Sequence, residues 1–148
     1  MNTSNGAGER GASTVARWAA ALAALLATAA AVTAALELPA AAPDVLMVEV
    51  WRTLGFATFA ALFALLVVRP LLSIALWAIV LGNKIALRIA GLVLGPDVPG
   101  ATTAAAWDGA MVAILSAGLV AAAISRRRSA AGAARDGAAP HTSPAGAA

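Results

Sequence analysis

Four apolar runs, each as long as a membrane-crossing helix, alternate along the chain with short polar stretches. Trp18–Leu36 holds 19 consecutive residues without a charge, which is enough to span about 30 Å of hydrocarbon. Pro39 and Pro43 break the pattern after it, and a second run extends from Leu46 to Val68 with Glu49 and Arg52 in its opening turns. Arg69-Pro70 separates this from a third run, Leu71–Leu94, in which Asn83-Lys84 and Arg88 interrupt the apolar residues. Gly95-Pro96-Asp97-Val98-Pro99-Gly100 is a loop, and a fourth run covers Thr103–Ile124 with Asp108 near its start. The pattern predicts an all-α integral membrane four-helix bundle with up-down-up-down topology, its helices at about 15–37, 46–68, 71–94 and 103–125. Residues 1–14 are expected to be an irregular lead, and 126–148 a basic, then Ala/Gly-rich, irregular tail.

Composition agrees with the pattern. Of 148 residues, 61% are hydrophobic and 11% charged, with a mean hydropathy of +0.87; a soluble domain of this size has no interior large enough for that share. The first run has a competing reading, a signal peptide cut at Ala40-Ala41-Ala42. Its length exceeds the usual apolar core of such peptides, and Pro43 would follow the cut, so a retained helix is expected.

Charge distribution sets the expected orientation. Arg10, Arg17, Arg69, Arg126, Arg127, Arg128 and Arg135 fall at one end of the bundle, and Glu37, Asp44, Glu49, Asp97 and Asp108 toward the other. The positive-inside rule then places both termini in the cytoplasm of a bacterial inner membrane. The formal net charge of +3 is therefore a topology signal, and no nucleic-acid partner is expected.

Candidate chemistry is confined to the charges inside the runs. Lys84 lies 13 residues after Leu71, about 20 Å along a helix. That leaves it roughly 10 Å below the outer boundary of the hydrocarbon, where an unpaired charge costs about 2.5–3.5 kcal/mol. Carboxylate partners are available near this depth in Asp108 and Glu49, with Arg52 beside them and Glu37 closing the first helix; Arg88, about 6 Å higher, nearly reaches the interface. Asp108 and Glu49 are the expected counter-charges of Lys84. Asn83 is expected to make a polar contact between helices, and Gly109, Ala113, Ala117 and Ala121 to form a close-packing stripe. Phe56, Phe59 and Phe63 recur along one side of the second helix and are read as packing rather than a ligand-lining stripe.

Several chemistries lack their residues. There is no cysteine, and the one histidine, His141, lies in the tail. No phosphate loop, zinc motif or serine-nucleophile elbow occurs, so neither a metal, a cofactor nor enzymatic activity is expected. Two classes of function remain. One is a non-enzymatic accessory or structural membrane component held together by an ion-pair cluster, with a membrane-protein partner or a homo-oligomer as its setting. The other is a binding or transport protein that takes an anionic or polar ligand at Lys84 from the outer side.

Trp51-Arg52-Thr53-Leu54-Gly55-Phe56, then Arg69-Pro70, then Leu76-Trp77 ahead of Asn83-Lys84 form a series along Trp51–Ala123. In these residues the chain resembles small uncharacterised four-helix integral membrane proteins of GC-rich bacteria. The resemblance implies the same four-span topology and brings no activity, cofactor or catalytic residue with it.

Overall fold

The computed structural model describes residues 3–71 and 73–137, with side chains over 11–71 and 73–134. Four helices make up the described chain: α1 (Thr3–Glu37), α2 (Leu46–Val68), α3 (Ile74–Leu94) and α4 (Ala101–Gly137). A 3-10 turn at Leu38–Ala40 follows α1, with Pro39 in its first positions. All four are long and apolar enough to cross a membrane. A third or fewer of the residues in each most apolar window are buried within the protein. The remaining apolar surface includes Leu25, Leu54, Ile79, Leu92 and Val120, each more than half exposed. Such a surface is stable against lipid and not against water.

Buried alanines let the helices pack closely. On α1, Ala16, Ala20, Ala23, Ala27 and Ala34 are buried, a repeat of three and four residues that gives a smooth face. Such a face lets backbones approach closely, and α1 packs along both α2 and α4. α4 also packs along α3, so the order around the bundle is α2, α1, α4, α3. The α2 and α3 backbones stay further apart, and the bulky buried side chains Phe63, Leu66, Trp77 and Val80 come from these two helices.

The ends of the helices have local causes. Ser73 caps α3, its hydroxyl accepting from the Leu76 N–H at 3.3 Å, so the helix starts at Ile74. Leu71 and Pro70 therefore lie in the connection, three residues short of the helix that the apolar run suggests. Gly95 (φ +70°) and Gly100 (φ +82°) take backbone conformations closed to most L side chains and turn the chain between α3 and α4. α1 and α4 are longer than expected. The helix covers 3–14 and 126–137, where an irregular lead and tail are read from the sequence. The rest of the expected tail, 138–148, lies outside the described residues.

Trp77 holds the α2–α3 connection. Its ring is fully buried, and its Nε1–H donates to the Pro70 carbonyl at 2.9 Å. Trp77→Phe removes the donor and leaves that buried carbonyl unsatisfied, which costs about 1–3 kcal/mol. Thermal unfolding in detergent should show a clear drop for this variant. Trp107→Phe, at a position 60% exposed, should melt close to the native protein.

Two of the exposed tryptophans, Trp18 and Trp51, mark two levels. Arg52 reaches Glu37, so Trp51 sits near the height of Glu37; Trp18 precedes Glu37 by 19 residues, about 29 Å of helix. Both rings are exposed, and their separation matches one hydrocarbon thickness of about 30 Å. α1 and α4 continue past the Trp18 level, beyond the ends of α2 and α3.

Candidate functional site

Lys84 is the central residue of α3, ten residues from either end, or about 15 Å along the axis. Counting from Leu71 puts it nearer the outer boundary; the later helix start moves it to the middle. It shares the buried face of α3 with Trp77, Val80 and Gly91, which recur at three- and four-residue multiples. Gly91 makes that face approachable. A Cβ there would stand 2.7 Å from the Ala101 carbonyl oxygen and 3.0 Å from the Ala105 Cβ, so α3 and α4 meet backbone to backbone. Three residues after Ala105, α4 presents Asp108 to Lys84.

The two charges form an ion pair. Lys84 Nζ lies 2.8 Å from Asp108 Oδ1, with the side chains 8% and 14% exposed. The ammonium also stands 5.1 Å above the centre of the Phe59 ring on α2, whose negative face attracts a cation. Phe59 in turn packs on Phe63, ring centres 6.0 Å apart. One cation thus touches three helices. Phe59 is the member of this group that reasoning from the sequence missed. Its spacing showed only that it shares a side with Phe56 and Phe63, and the packing of α2 against α3 makes it a cation's neighbour.

The other charged residues are placed elsewhere. Arg52 lies between Glu37 Oε2 at 3.1 Å and Glu49 Oε2 at 2.6 Å, joining α1 to the start of α2. Glu49 is therefore not a partner of Lys84. It sits one turn from Arg52 on the same helix, and that nearer cation takes it. These side chains are 25–62% exposed, so the group contributes little to stability. Arg88 Nη1 donates to the Ala105 carbonyl at 3.2 Å, and its guanidinium lies over Gly109. Among the described residues the expected single cluster is thus two: one joining α1 with α2, the other α3 with α4.

Two further expectations are corrected. Asn83 is exposed and makes no helix–helix hydrogen bond among the described residues. It precedes Lys84 by one residue, about 100° round the helix, so it cannot share the buried face. The stripe Gly109, Ala113, Ala117, Ala121 is not the packing face of α4 either, since Ala113 and Ala117 are exposed. The buried residues of α4 are Ala101, Ala105, Met111, Leu115, Gly118, Ala121, Ala122 and Ser125, so Ala121 alone of the expected stripe is buried.

The apolar core lies to one side of the pair. Its buried members run from Ala16 to Ala27 on α1, Phe63 to Leu66 on α2, Trp77 to Val80 on α3 and Met111 to Ala122 on α4. All stand on the arginine side of Lys84. On the acidic side, the polar bonds between helices tie α1 to α2 and α3 to α4. Lys84, Asp108 and Phe59 thus close the core where the two helix pairs lose their shared apolar packing. A hollow of about 410 Å³, lined by Thr102, Thr103, Ala106 and Trp107, lies at the start of α4 and has no charged lining residue. Among the described residues no group of three or more His, Cys, Asp or Glu could hold a metal. Compared with protein-family models, curated proteins and solved structures, the chain matches none.

Proposed function

We propose that this small membrane protein is a non-enzymatic accessory or structural component of a bacterial inner membrane, with both termini in the cytoplasm. The observation that carries the reading is the state of Lys84. Its ammonium already has a carboxylate at 2.8 Å and an aromatic face at 5.1 Å, and it is nearly closed off from its surroundings. A cation serving as an anion receptor would instead need a vacant coordination direction and a path to it. The pair at the centre of α3 sets the register of α3 on α4 and holds both against α2.

Two measurements test this. The purified protein should melt at one temperature whether or not phosphate, sulfate or a dicarboxylate is added. A saturable rise that disappears in Lys84→Met would replace the structural reading with the ligand-binding one. For orientation, the cysteine-free chain permits Asp97→Cys and Ser129→Cys with an impermeant maleimide on intact cells stripped of outer barriers. Position 97 should label from outside and position 129 only after permeabilisation; the reverse result overturns the topology.

A further inference from the structure

We propose that the arginine end of the bundle carries a binding ring for the phosphodiester headgroups of anionic phospholipids. Arg17 comes from α1, Arg69 from the α2–α3 connection, and Arg126, Arg127 and Arg128 from α4. All five are exposed, and none makes an ion pair among the described residues. The bases of the other half differ in this: Arg52 and Lys84 meet carboxylates, and Arg88 meets a backbone carbonyl. Among the described residues, these five guanidinium groups gathered at one end leave a concentrated positive charge without a carboxylate partner.

The height is that of the headgroups. A Cβ on Gly118 would lie 3.1 Å from the Ala19 Cβ, so these two residues stand level across α1 and α4. Arg17 is then beside Trp18 at the hydrocarbon boundary, and Arg126 stands about 10 Å further out than Trp18. Helical side chains lean toward the N-terminus of their helix. α1 enters the membrane at this end, so Arg17 leans outward; α4 leaves it here, so Arg126, Arg127 and Arg128 lean back. Both sets converge on the layer, about 5–8 Å thick, between hydrocarbon and water. Guanidinium groups bind phosphate oxygens through paired N–H donors, which suits this ligand.

The arrangement also argues for lipid over a polyanion in solution. Three consecutive residues on a helix point in directions about 100° apart, and Arg17 and Arg69 stand on other segments. The charge therefore surrounds the bundle at one level, as a leaflet does, and does not form the continuous stripe that a nucleic-acid strand would follow. The inference rests on the spanning arrangement alone. Which compartment faces the ring, and the role of Lys84, do not enter it.

The test compares mixed micelles containing phosphatidylglycerol or phosphatidylcholine, with melting temperature as the readout. Phosphatidylglycerol should raise the melting temperature by several degrees more than phosphatidylcholine. High salt should remove most of that advantage, because exposed charges are screened. In Arg126→Gln/Arg127→Gln/Arg128→Gln the advantage should fall by more than half, while the response to phosphatidylcholine stays native. Should the triple variant fail to fold, Arg17→Gln alone should still reduce the difference. Equal stabilisation by the two lipids, an advantage insensitive to salt, or an advantage kept in the variants would overturn the proposal. So would inorganic phosphate or a short oligonucleotide reproducing the effect of phosphatidylglycerol.

Discussion

Asp108→Ala lowers the stability of the folded bundle by about 3 kcal/mol, while Lys84→Met combined with Asp108→Leu restores most of it. The first figure follows from leaving Lys84 without its carboxylate at the centre of α3, where a lone charge costs about 2.5–3.5 kcal/mol. In the double variant no charge is left buried, and two apolar side chains of similar volume fill the space. Replacing a buried pair in this way is often neutral or better, whereas breaking it is costly. Unfolding in detergent, followed by helicity, gives both numbers. If Asp108→Ala melts as the native protein does, the pair carries no weight in the fold. If the double variant is no better than the single one, what matters is the hydrogen-bonded geometry and not the burden of an unpaired charge. Arg52→Ala is the contrast: its partners are largely exposed, and a loss of at most about 1 kcal/mol is expected.

Gly118→Val breaks the arginine half of the bundle. A Cβ at Gly118 would overlap the six-membered ring of Trp77 and press on the Ala19 Cβ at 3.1 Å. The ring has nowhere to go, being fully buried and tied through Nε1 to the Pro70 carbonyl. Overpacking a tight core costs about 1–3 kcal/mol, and here it strains three helices and the α2–α3 connection at once. We expect a loss at the top of that range or beyond, seen as low folded yield and an early melt. Gly82→Ala serves as the control. Its Cβ meets nothing within 4 Å, and α3 gains about 1 kcal/mol of helix propensity there. Gly109→Ala is intermediate, since the overlapping atoms belong to the mobile end of Arg88.

These two sites differ in how far they could be read in advance. A charge inside an apolar run announces itself, because lipid makes it expensive and few residues can offset it. Depth alone therefore marks Lys84 as a charge in need of a partner, and Asp108 as one of two carboxylates within reach. The same grounds point to Glu49, which the structure instead gives to Arg52. Depth along a helix follows from residue count, but the direction a side chain faces depends on how the helix is rotated against its neighbours. Glu49 has the right depth, yet it faces Arg52 and α1. Asn83 misleads similarly, being at the depth of Lys84 but a quarter-turn or more round the helix.

Gly118 shows the opposite case. Nothing in its sequence environment distinguishes it from Gly109, which begins the stripe of small residues that periodicity picked out. In an alanine-rich helix every face is smooth, so spacing cannot choose among them. The choice is made by Trp77, a large ring on another helix that needs a gap opposite it.

The sequence by itself determined the four spans, the loops between them, the segregation of arginine and acidic residues to opposite ends, and the need of Lys84 for a carboxylate at its depth, with Asp108 and Glu49 as the candidates; the choice of Asp108 came from the structure. Each of these follows from the cost of placing polar groups in hydrocarbon, which acts on a residue whatever its neighbours are. Only the tertiary structure decided the order of the helices, the division of the charges into two groups, the place of Phe59 under the Lys84 ammonium, and the glycines that must stay glycine. Those depend on which faces meet. With alanine on every side, that is set by the few large side chains, Trp77 and Phe63 foremost, and by where they find room.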